Sequence, residues 1–487
     1  MKMLIDSKWV DSESGATQDV LEPATGTVID TVPKATAKDT QRAIEAATKA
    51  KRRMRLFPAH ERARVLTSVA ARMEAEVEDL ARLLARENGK PIVQTREEVT
   101  AAARLFRGFG EEAKRLFGRT SPLDNVPGME NSFAMTIREP VGVVAAIVPY
   151  NYPVELYAHK AAAALAGGNA TIVKPPRACP LTLLRIAEML EEAGLPQAGH
   201  QMVVGGAKEV GMTLSSSSDV HMITVTGSTR AGRDIYQRAS ENMKRVHLEL
   251  GGNDPCIITE DADLERAADA VIAGRLARGN GQICCAVKRV YAQEKIAETF
   301  AEILARKTGK LNVGDPLDEK TDVGPLIDED AAVEVERAIN EAKEKGAFVT
   351  CGGGRSGTFV EPTVLTKVPR DAFVVSDEVF GPVVPIVPFA TIDEAIEMAN
   401  DSPYGLQGAV FTRDISTAMD VAYRLEVGGV VVNWSSAVRL ENVPFGGRKL
   451  SGNGVESFPE TLYEMTEVKS IILQDALADY RRNESRE

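Results

Sequence analysis

Cysteine is scarce in this sequence. The 487 residues contain five cysteines and no CxxC motif: Cys179, Cys256, Cys284, Cys285 and Cys351. An odd and small number in a chain of this length excludes a disulfide framework, and the lack of a Cys/His cluster argues against structural zinc. We therefore expect reduced thiols and no metal site.

Long apolar segments are also missing. No uncharged apolar run reaches the roughly 18 to 20 residues that a bilayer-spanning helix needs. The opening residues, MKMLIDSKWVDSESG, are polar and lack the apolar core of a signal peptide. These absences predict a soluble cytoplasmic protein that does not bind membranes.

An excess of positive charge is the third absence. The formal net charge is −12, from 58 Lys and Arg residues against 70 Asp and Glu residues. The summed field repels polyanions, so nucleic acid is not an expected partner, although a local basic patch could still bind a small anionic ligand.

Length and hydrophobic patterning predict an α/β protein. A chain this long suggests roughly three domains rather than one core. Apolar residues at helical spacing predict helices over 38–52, 60–88 and 94–116. From residue 138 onward, short Val-rich and Ile-rich runs such as 141–148 and 170–174 alternate with helical segments, as in parallel βαβ units. A second series of this kind starts near Pro255, which predicts two doubly wound Rossmann-like domains with a ligand cleft between them.

A pair of cysteines is the first feature that could carry chemistry. The segment GNGQICCAVKR (279–289) places Cys284 and Cys285 between a Gly-rich stretch and a predicted strand. Cysteine is a strong nucleophile near neutral pH once its thiol pKa is lowered, and loop N–H groups can lower it and later hold an oxyanion. The alternative is that both cysteines are small buried apolar residues.

Three further segments could serve the same chemistry. In LELGGN, Glu249 ends a strand and could be a general base, or a solvated or salt-bridged carboxylate. In VPYNYP, Asn151 could donate to a developing oxyanion, or simply occupy a turn. In VTGSTRAG, Gly227 and Ser228 begin a helix whose free N–H groups attract a pyrophosphate, or form an ordinary capped turn, because the first glycine of GxGxxG is absent.

Taken in order, these motifs resemble the aldehyde dehydrogenase superfamily over nearly the whole chain. The motifs are LIDSKW, EPATGTVI, EPVGVVAAIVPYNYP, GGNATIVKPP, VTGSTRAG, LELGGN, GQICCA, EVFGP and PFGGRKLSG. In detail the pattern is similar to lactaldehyde and succinate-semialdehyde dehydrogenases. The resemblance implies oxidation of an aldehyde to a carboxylic acid with NAD or NADP, through a cysteine thioester that water hydrolyses.

The resemblance also implies roles for individual residues. Cys284 is implied as the nucleophile, Asn151 with the backbone N–H of Cys284 as the oxyanion hole, and Glu249 as the base that activates water. On the cofactor side the implied residues are Lys174 for the adenosine ribose, Gly227, Ser228 and Gly232 for the pyrophosphate, and Glu378 and Phe380 for the nicotinamide end. The spacing from Glu249 to Cys284 is one residue longer than in the family, which implies a small insertion within 278–281.

Domain boundaries follow from the patterning and the resemblance together. The dinucleotide-binding domain is expected over 1–118 and 138–250, the catalytic domain over 251–450, an oligomerisation element over 119–137 and 462–475, and a C-terminal tail over 476–487. The small β element could pair with a symmetry mate through an exposed strand edge, so a homodimer or homotetramer is expected.

Arg177, three residues after Lys174, bears on the choice of cofactor. Members of the family that prefer NAD often carry Glu at this position, where it binds the ribose hydroxyls. A guanidinium can instead pair with the 2′-phosphate of NADP, so we expect NADP to be used at least as well as NAD. The alternative is that Arg177 points into solvent.

Three positions are implied to line the substrate tunnel: Tyr152, His159 and Arg439. Arg439 occupies a position where family enzymes for apolar aldehydes tend to carry an aromatic residue, and His159 replaces a bulky apolar one. A buried Arg without a partner is costly, which predicts a small aldehyde substrate that itself supplies an anion or hydroxyls. The alternative is an internal partner such as Glu441 or Glu155.

Two other functions stay open at this point. In a CoA-acylating relative the thiol of CoA would replace water, but acylating members generally lack the base that Glu249 supplies. The second is a non-catalytic structural or binding member of the family, against which the joint presence of Cys284, Glu249 and Asn151 argues.

Overall fold

Two seven-stranded sheets dominate the computed structural model, which describes residues 1–478 and residue 480. Each sheet is mainly parallel and is packed against helices, so the predicted α/β class is confirmed. Among the described residues, no helix combines the length and the apolarity that crossing a bilayer requires.

The first sheet has five parallel strands and an antiparallel pair at one edge. In spatial order the strands are Arg245–Glu249, Met222–Thr226, Val143–Ile147, Ala170–Lys174, His200–Met202, Met3–Ile5 and Lys8–Val10. The predicted strand within 141–148 is observed as Val143–Ile147, and its first four residues are buried, as expected for a parallel strand covered on both faces.

Helices enclose this sheet and form the N-terminal part of the fold. They are Ala37–Leu56, Ala59–Ala75, Val77–Asn88, Ile92–Ala113, Pro153–Tyr157, Ala163–Ala166, Leu181–Glu192, Met212–Ser216 and Thr229–Ser240, with π-helical turns at Ala158–Ala162 and Ala207–Gly211. The expectation of a single helix over 60–88 is wrong, because Glu76 leaves the helical conformation at φ −105° and ψ 21°. Its carboxylate accepts hydrogen bonds from Arg72 at 2.8 Å and from Arg185 at 3.0 Å, which stabilise the break.

The second sheet has six parallel strands and one antiparallel edge strand. In spatial order they are Phe348–Cys351, Thr363–Thr366, Val383–Phe389, Val287–Gln293, Asp254–Ile258, Gln407–Phe411 and Gly429–Val432. The associated helices are Leu264–Val271, Glu294–Thr308, Glu329–Glu344, Phe373–Ser376, Ile392–Asn400 and Ile415–Arg424, and the first continues through a π-helical segment, Ile272–Ala277, into the 3₁₀ turn Arg278–Gly281. Separate apolar clusters pack against this sheet.

A smaller antiparallel sheet joins two distant parts of the chain. Strand Thr466–Leu473 pairs along its whole length with Phe133–Pro140, which pairs on its other side with Thr120–Pro122. The helix Phe458–Glu464 precedes this sheet, and three short strand pairs complete the described elements: Thr17–Leu21 with Val28–Pro33, Arg355–Ser356 with Phe359–Val360, and Tyr404–Gly405 with Arg448–Lys449.

The sheet topology brings polar side chains to one edge. Lys174, Thr226 and Glu249 are the last residues of three parallel strands in the first sheet. Because the carboxyl ends of parallel strands meet at the same edge, this is where an open α/β sheet binds its ligands. The side chain of Asn151 reaches from this edge to the loop before Val287–Gln293, where it donates to Gln282.

Candidate active site

The loop that carries Cys284 begins with a tight turn over 278–281. Gly279, Asn280 and Gly281 have positive φ angles of 58°, 54° and 74°. A Cβ on Gly281 would lie 2.4 Å from the backbone carbon of Gly381, so a side chain cannot be accommodated there. The Asn280 amide donates to the Gly89 carbonyl at 3.0 Å, which ties this loop to the N-terminal helices.

Cys284 is half-buried in the wall of a cavity of about 110 Å³. The hydrogen bond to the Cys285 thiol, together with burial, raises the pKa of Cys284 well above its ordinary value. The positive charges of Lys288 and Arg439 act in the opposite direction. Since the thiolate is the nucleophile, the reactivity of Cys284 depends on which of these influences dominates.

Asn151 is buried beside the same cavity and connects to the cysteine loop. Its side-chain amide donates to the carbonyl of Gln282 at 2.9 Å. The buried Lys90 ammonium donates to the Asn151 backbone carbonyl at 2.7 Å and pairs with the buried Glu98 carboxylate. An amide nitrogen carries two N–H groups, so one remains for a ligand in the cavity.

Glu249 ends its strand as a buried carboxyl group without a hydrogen-bond partner. It is 3% exposed, and neither of its oxygens has a partner among the described residues. Burial raises the pKa of Glu249 well above its usual value, and the negative charge of Glu456 adds to this effect. A carboxyl group in this state is a stronger base than one in water once it has lost its proton.

Glu456 lies at the centre of a buried charge cluster that the sequence motifs do not reveal. It accepts a hydrogen bond from Lys160 at 2.8 Å and pairs with Arg439. His247 lies 3.6 Å away and also contacts Glu464. Burial favours neutral His247, but the hydrogen bonds and charges of Glu456 and Glu464 prevail and raise the pKa of His247 to about 9. The cluster is therefore held in its charged form near neutral pH.

The expectation for Arg439 needs correction. The sequence favours a substrate that supplies an anion or hydroxyls to an otherwise unpaired Arg439, yet Glu456 pairs with this Arg inside the protein. Neither Glu441 nor Glu155, the internal partners considered above, takes that place. The Arg439 Nε still has no partner among the described residues and its side chain lines the cavity, so the residue remains in contact with the substrate space.

The other two tunnel positions also face the cavity. Tyr152 and His159 line it, and the Tyr152 hydroxyl and both nitrogens of His159 are buried without partners among the described residues. Burial lowers the pKa of His159 well below its ordinary value, so the ring is neutral at physiological pH. The cavity therefore presents several unpaired neutral polar groups.

Arg278 is a cavity residue that the sequence analysis did not single out. It lines both the cavity at Cys284 and a neighbouring one of about 370 Å³. Its guanidinium donates to the Ala437 carbonyl at 3.2 Å and lies 5.8 Å from the centre of the Tyr152 ring. Within the described part of the chain no carboxylate pairs with Arg278, so its charge is available to a ligand.

Lys174 and Arg177 lie together at the end of a strand of the first sheet. Burial, with a contribution from the charge of Arg177, lowers the pKa of Lys174 to about 8. Arg177 is exposed, and its Nε donates to the Gln18 side chain at 3.2 Å. Lys174 thus lies in an enclosed position, and Arg177 lies at its rim.

The VTGSTRAG segment forms the turn between a strand and the helix Thr229–Ser240. Ser228 caps this helix, since its hydroxyl accepts from the backbone N–H of Ala231 at 3.3 Å. A Cβ on Gly227 would lie 4.0 Å from the Val225 side chain, whereas one on Gly232 would lie 2.6 Å from the Leu250 side chain. Open space therefore lies at Gly227, while Gly232 allows close packing of the helix.

Glu378 and Phe380 lie next to the loop that follows Glu249. The Glu378 carboxylate accepts hydrogen bonds from the backbone N–H of Gly252 at 3.1 Å and from Lys288 at 2.7 Å. The Phe380 ring lies edge-on to Tyr150 at 6.1 Å between ring centres. Lys288, whose significance no motif indicated, is thereby placed between the two halves of the site.

Comparisons with known proteins agree with this arrangement. A model of the aldehyde dehydrogenase family matches residues 9–471. The 3-sulfolactaldehyde dehydrogenase of Priestia megaterium is 44% identical over 439 residues, 90% of this chain and 91% of the relative. The glutarate-semialdehyde dehydrogenase of Pseudomonas aeruginosa is 40% identical over 473 residues, 96% of each chain.

Solved structures show the same relationship. The crystal structure of an NADP-dependent enzyme of E. coli matches with a TM-score of 0.94 and 38% identity, over 97% of this chain and 98% of that chain. The predicted family, fold class and enzyme class are thus confirmed. A family match over most of the chain, together with identities near 40%, establishes that this chain belongs to the aldehyde dehydrogenase family, whose enzymes oxidise aldehydes with NAD or NADP.

Proposed function

We propose that this protein oxidises a short polar aldehyde, bearing a hydroxyl or an anionic group, to its carboxylic acid through a thioester on Cys284. The observation that carries the proposal is one cavity lined by Cys284, Asn151, Arg278 and Arg439. A thiol and an amide donor suit attack on a carbonyl, and the two cations suit a polar substrate. Two relatives are named for aldehydes that carry an acidic group.

Each reaction step is assigned to a residue of the site. Cys284 attacks the aldehyde carbon as the thiolate, and the free N–H of Asn151, with the backbone N–H of Cys284, binds the resulting oxyanion. Loss of one such donor typically costs about 3 kcal/mol of transition-state stabilisation. Nicotinamide, when bound, supplies the hydride acceptor. Glu249 then takes a proton from the water that hydrolyses the thioester and frees the Cys284 thiol.

The cofactor end of the site fits a dinucleotide. The Thr226 hydroxyl is buried without a partner among the described residues, and open space lies beside Gly227 at the start of a helix. Free backbone N–H groups at a helix N-terminus attract phosphate. We assign Lys174 to the adenosine ribose, Gly227, Ser228 and Gly232 to the pyrophosphate, and Glu378 and Phe380 to the nicotinamide end.

Arg177 supports use of NADP. Its Nε donates to the Gln18 side chain, and no carboxylate among the described residues pairs with it, so it is free to pair with a 2′-phosphate. We expect kcat/KM with NADP to equal or exceed that with NAD. Arg177→Glu should lower kcat/KM for NADP by roughly 10- to 100-fold, the scale of one charge-assisted contact, and raise kcat/KM for NAD, because a Glu at this position can bind the ribose hydroxyls.

Steady-state kinetics with both cofactors test this assignment. Arg266→Glu, the same change at an exposed position in the second half of the chain, is the matched control and should alter neither cofactor's kcat/KM. A strong preference of the wild-type enzyme for NAD would refute the role of Arg177.

Arg278 is the residue we assign to an anionic group on the substrate. Arg439 is already paired with Glu456, whereas Arg278 has no carboxylate partner in the described structure and lines the same cavity. Arg278→Met should raise KM for glutarate semialdehyde by roughly 10- to 100-fold and change KM for pentanal, which has the same number of carbons, much less.

Parallel kinetics on these two aldehydes provide the test, with Arg439→Leu as the matched variant. If Arg278→Met raises KM equally for both aldehydes, the residue supports the cavity wall rather than recognising an anion. If only Arg439→Leu raises KM for glutarate semialdehyde more than KM for pentanal, the anion contacts Arg439 instead.

We further propose that the protein is a homodimer or homotetramer that works in the cytoplasm. Val468 and Ile472 project from the strand Thr466–Leu473 with 59% and 62% of their surface exposed, and all five cysteines are free. An exposed apolar sheet face favours pairing with a second copy. Replacing both residues by Lys should shift the mass measured by light scattering to that of a monomer. An unchanged mass would show that this face is not the interface between subunits.

A further inference from the structure

Lys288 is a buried cation between the two halves of the site. Its side chain is 1% exposed and lies four residues after Cys284 on the strand Val287–Gln293. The ammonium donates to the backbone carbonyl of Cys284 and to Glu378 Oε1, the latter at 2.7 Å. It also lies 5.8 Å from the centre of the Phe380 ring. One amine thus contacts the nucleophile's own backbone and the carboxylate assigned to the nicotinamide end.

Glu378 is held against the loop that follows the candidate base. Its Oε1 accepts from the Gly252 N–H at 3.1 Å, and a Cβ on Gly251 would lie 2.1 Å from Oε2. Glycine at 251 is therefore needed for this carboxylate to approach. The ion pair between Lys288 and Glu378 therefore connects three segments: the cysteine loop, the Leu250–Asn253 segment and the EVFGP segment.

The charge on Lys288 acts on Cys284, and Glu378 is the anion that opposes it. The titratable and charged groups that influence this pair of cysteines and its neighbours are Glu155, Glu249, Asp254, Arg275, Arg278, Lys288, Glu378, Arg439 and Glu456. Burial raises the pKa of Asp254 well above its usual value and neither of its oxygens has a partner among the described residues. Burial thus favours the neutral form of Asp254, and Glu378 is the carboxylate that pairs with Lys288.

We propose that Lys288 is a positioning residue that couples cofactor binding to activation of the nucleophile. While the Glu378 carboxylate pairs with the Lys288 ammonium, it neutralises the positive charge of Lys288. When the ribose hydroxyls of the nicotinamide half donate hydrogen bonds to the Glu378 carboxylate, the ammonium is released to stabilise the Cys284 thiolate. The inference rests on the proposed function, in which Glu378 binds the nicotinamide end.

This coupling has a chemical consequence for the protein without nucleotide. The hydrogen bond that the Cys284 thiol donates to Cys285, together with burial, keeps the Cys284 pKa high, so the resting thiol is protonated and unreactive. The thiolate population rises only when a cofactor is present to accept the hydride, because Lys288 is then unopposed. The nucleophile is thereby protected from reacting before a productive complex has formed.

The rate of Cys284 alkylation by iodoacetamide in the protein without nucleotide tests the proposal. The rate constant is followed from pH 6 to 10, with the labelled cysteine identified by peptide mass spectrometry. Glu378→Gln should raise the rate at pH 7 by roughly tenfold, as expected for a pKa decrease of about one unit. Lys288→Met should slow labelling, and the double variant should be labelled as slowly as Lys288→Met alone. Asp254→Asn is the matched control and should stay within about twofold of wild type, because burial favours the neutral form of the carboxyl group that it replaces.

Two results would overturn the coupling. The first is a Glu378→Gln chain that is labelled at the wild-type rate at every pH. If Lys288→Met does not fold, the labelling rate of Glu378→Gln is by itself sufficient to test the coupling. The second is a double variant labelled as fast as Glu378→Gln, since Lys288 would then be irrelevant. Alkylation is measured without substrate or turnover, so failure here is separate from failure of the proposed reaction, which Cys284→Ser activity assays report.

Discussion

Cys284→Ser should abolish aldehyde oxidation while leaving the fold intact. A serine hydroxyl is far less acidic than a thiol, so kcat/KM should fall by roughly 10⁴- to 10⁶-fold, the scale seen when a covalent nucleophile is removed. Formation of reduced nicotinamide at 340 nm measures the loss. Cys284 is half-buried in a loop rather than in the main core, so the melting temperature should change by a few degrees at most.

Cys285→Ser is the matched control for this variant. Cys285 is a direct neighbour of the same size, and its thiol contacts that of Cys284. We expect an activity loss of no more than about tenfold, because only the hydrogen bond to the nucleophile changes. If Cys285→Ser were inactive and Cys284→Ser active, the nucleophile would be the wrong cysteine of the pair.

Glu249→Gln should separate the two halves of the reaction. Without the carboxylate, no group deprotonates water, so the thioester accumulates after hydride transfer and turnover falls by roughly 10²- to 10⁴-fold. Stopped-flow absorbance should therefore show a burst of reduced nicotinamide close to one equivalent per site, followed by a slow phase. Gln preserves the size of a side chain that makes no hydrogen bond in the structure, so folding should be little affected.

Glu249→Asp is the companion variant, since it keeps a carboxylate but shortens its reach. It should recover part of the steady-state rate relative to Glu249→Gln. Loss of the burst itself in Glu249→Gln would show that this residue acts before or during hydride transfer, and would contradict its assignment to hydrolysis.

The sequence patterns predicted best what is local in the chain. The strand 170–174 has the predicted limits, and Glu249 lies at the end of its strand as expected. These features are local because a short apolar run that ends at a Pro or Gly turn specifies a buried strand and its exit. The break at Glu76 was not predicted because distant Arg185 contributes to it.

The ion pairs of the site could not be predicted from sequence patterns. Glu456 meets Lys160 across 296 residues and Lys288 meets Glu378 across 90. No periodicity or motif spacing encodes such contacts, which depend on how the two sheets pack. The premise that Arg439 lacks a partner failed because Glu456, 17 residues further along the chain, pairs with it, and no motif marked that contact.

The most direct test of the account is the mass of Cys284 during turnover. Wild-type enzyme is mixed with glutarate semialdehyde and NADP, quenched in acid within milliseconds, digested and analysed by mass spectrometry. The account predicts an acyl group on the peptide that contains Cys284, absent when NADP is omitted. An acyl group on another residue, or full turnover in the Cys284→Ser protein, would contradict it.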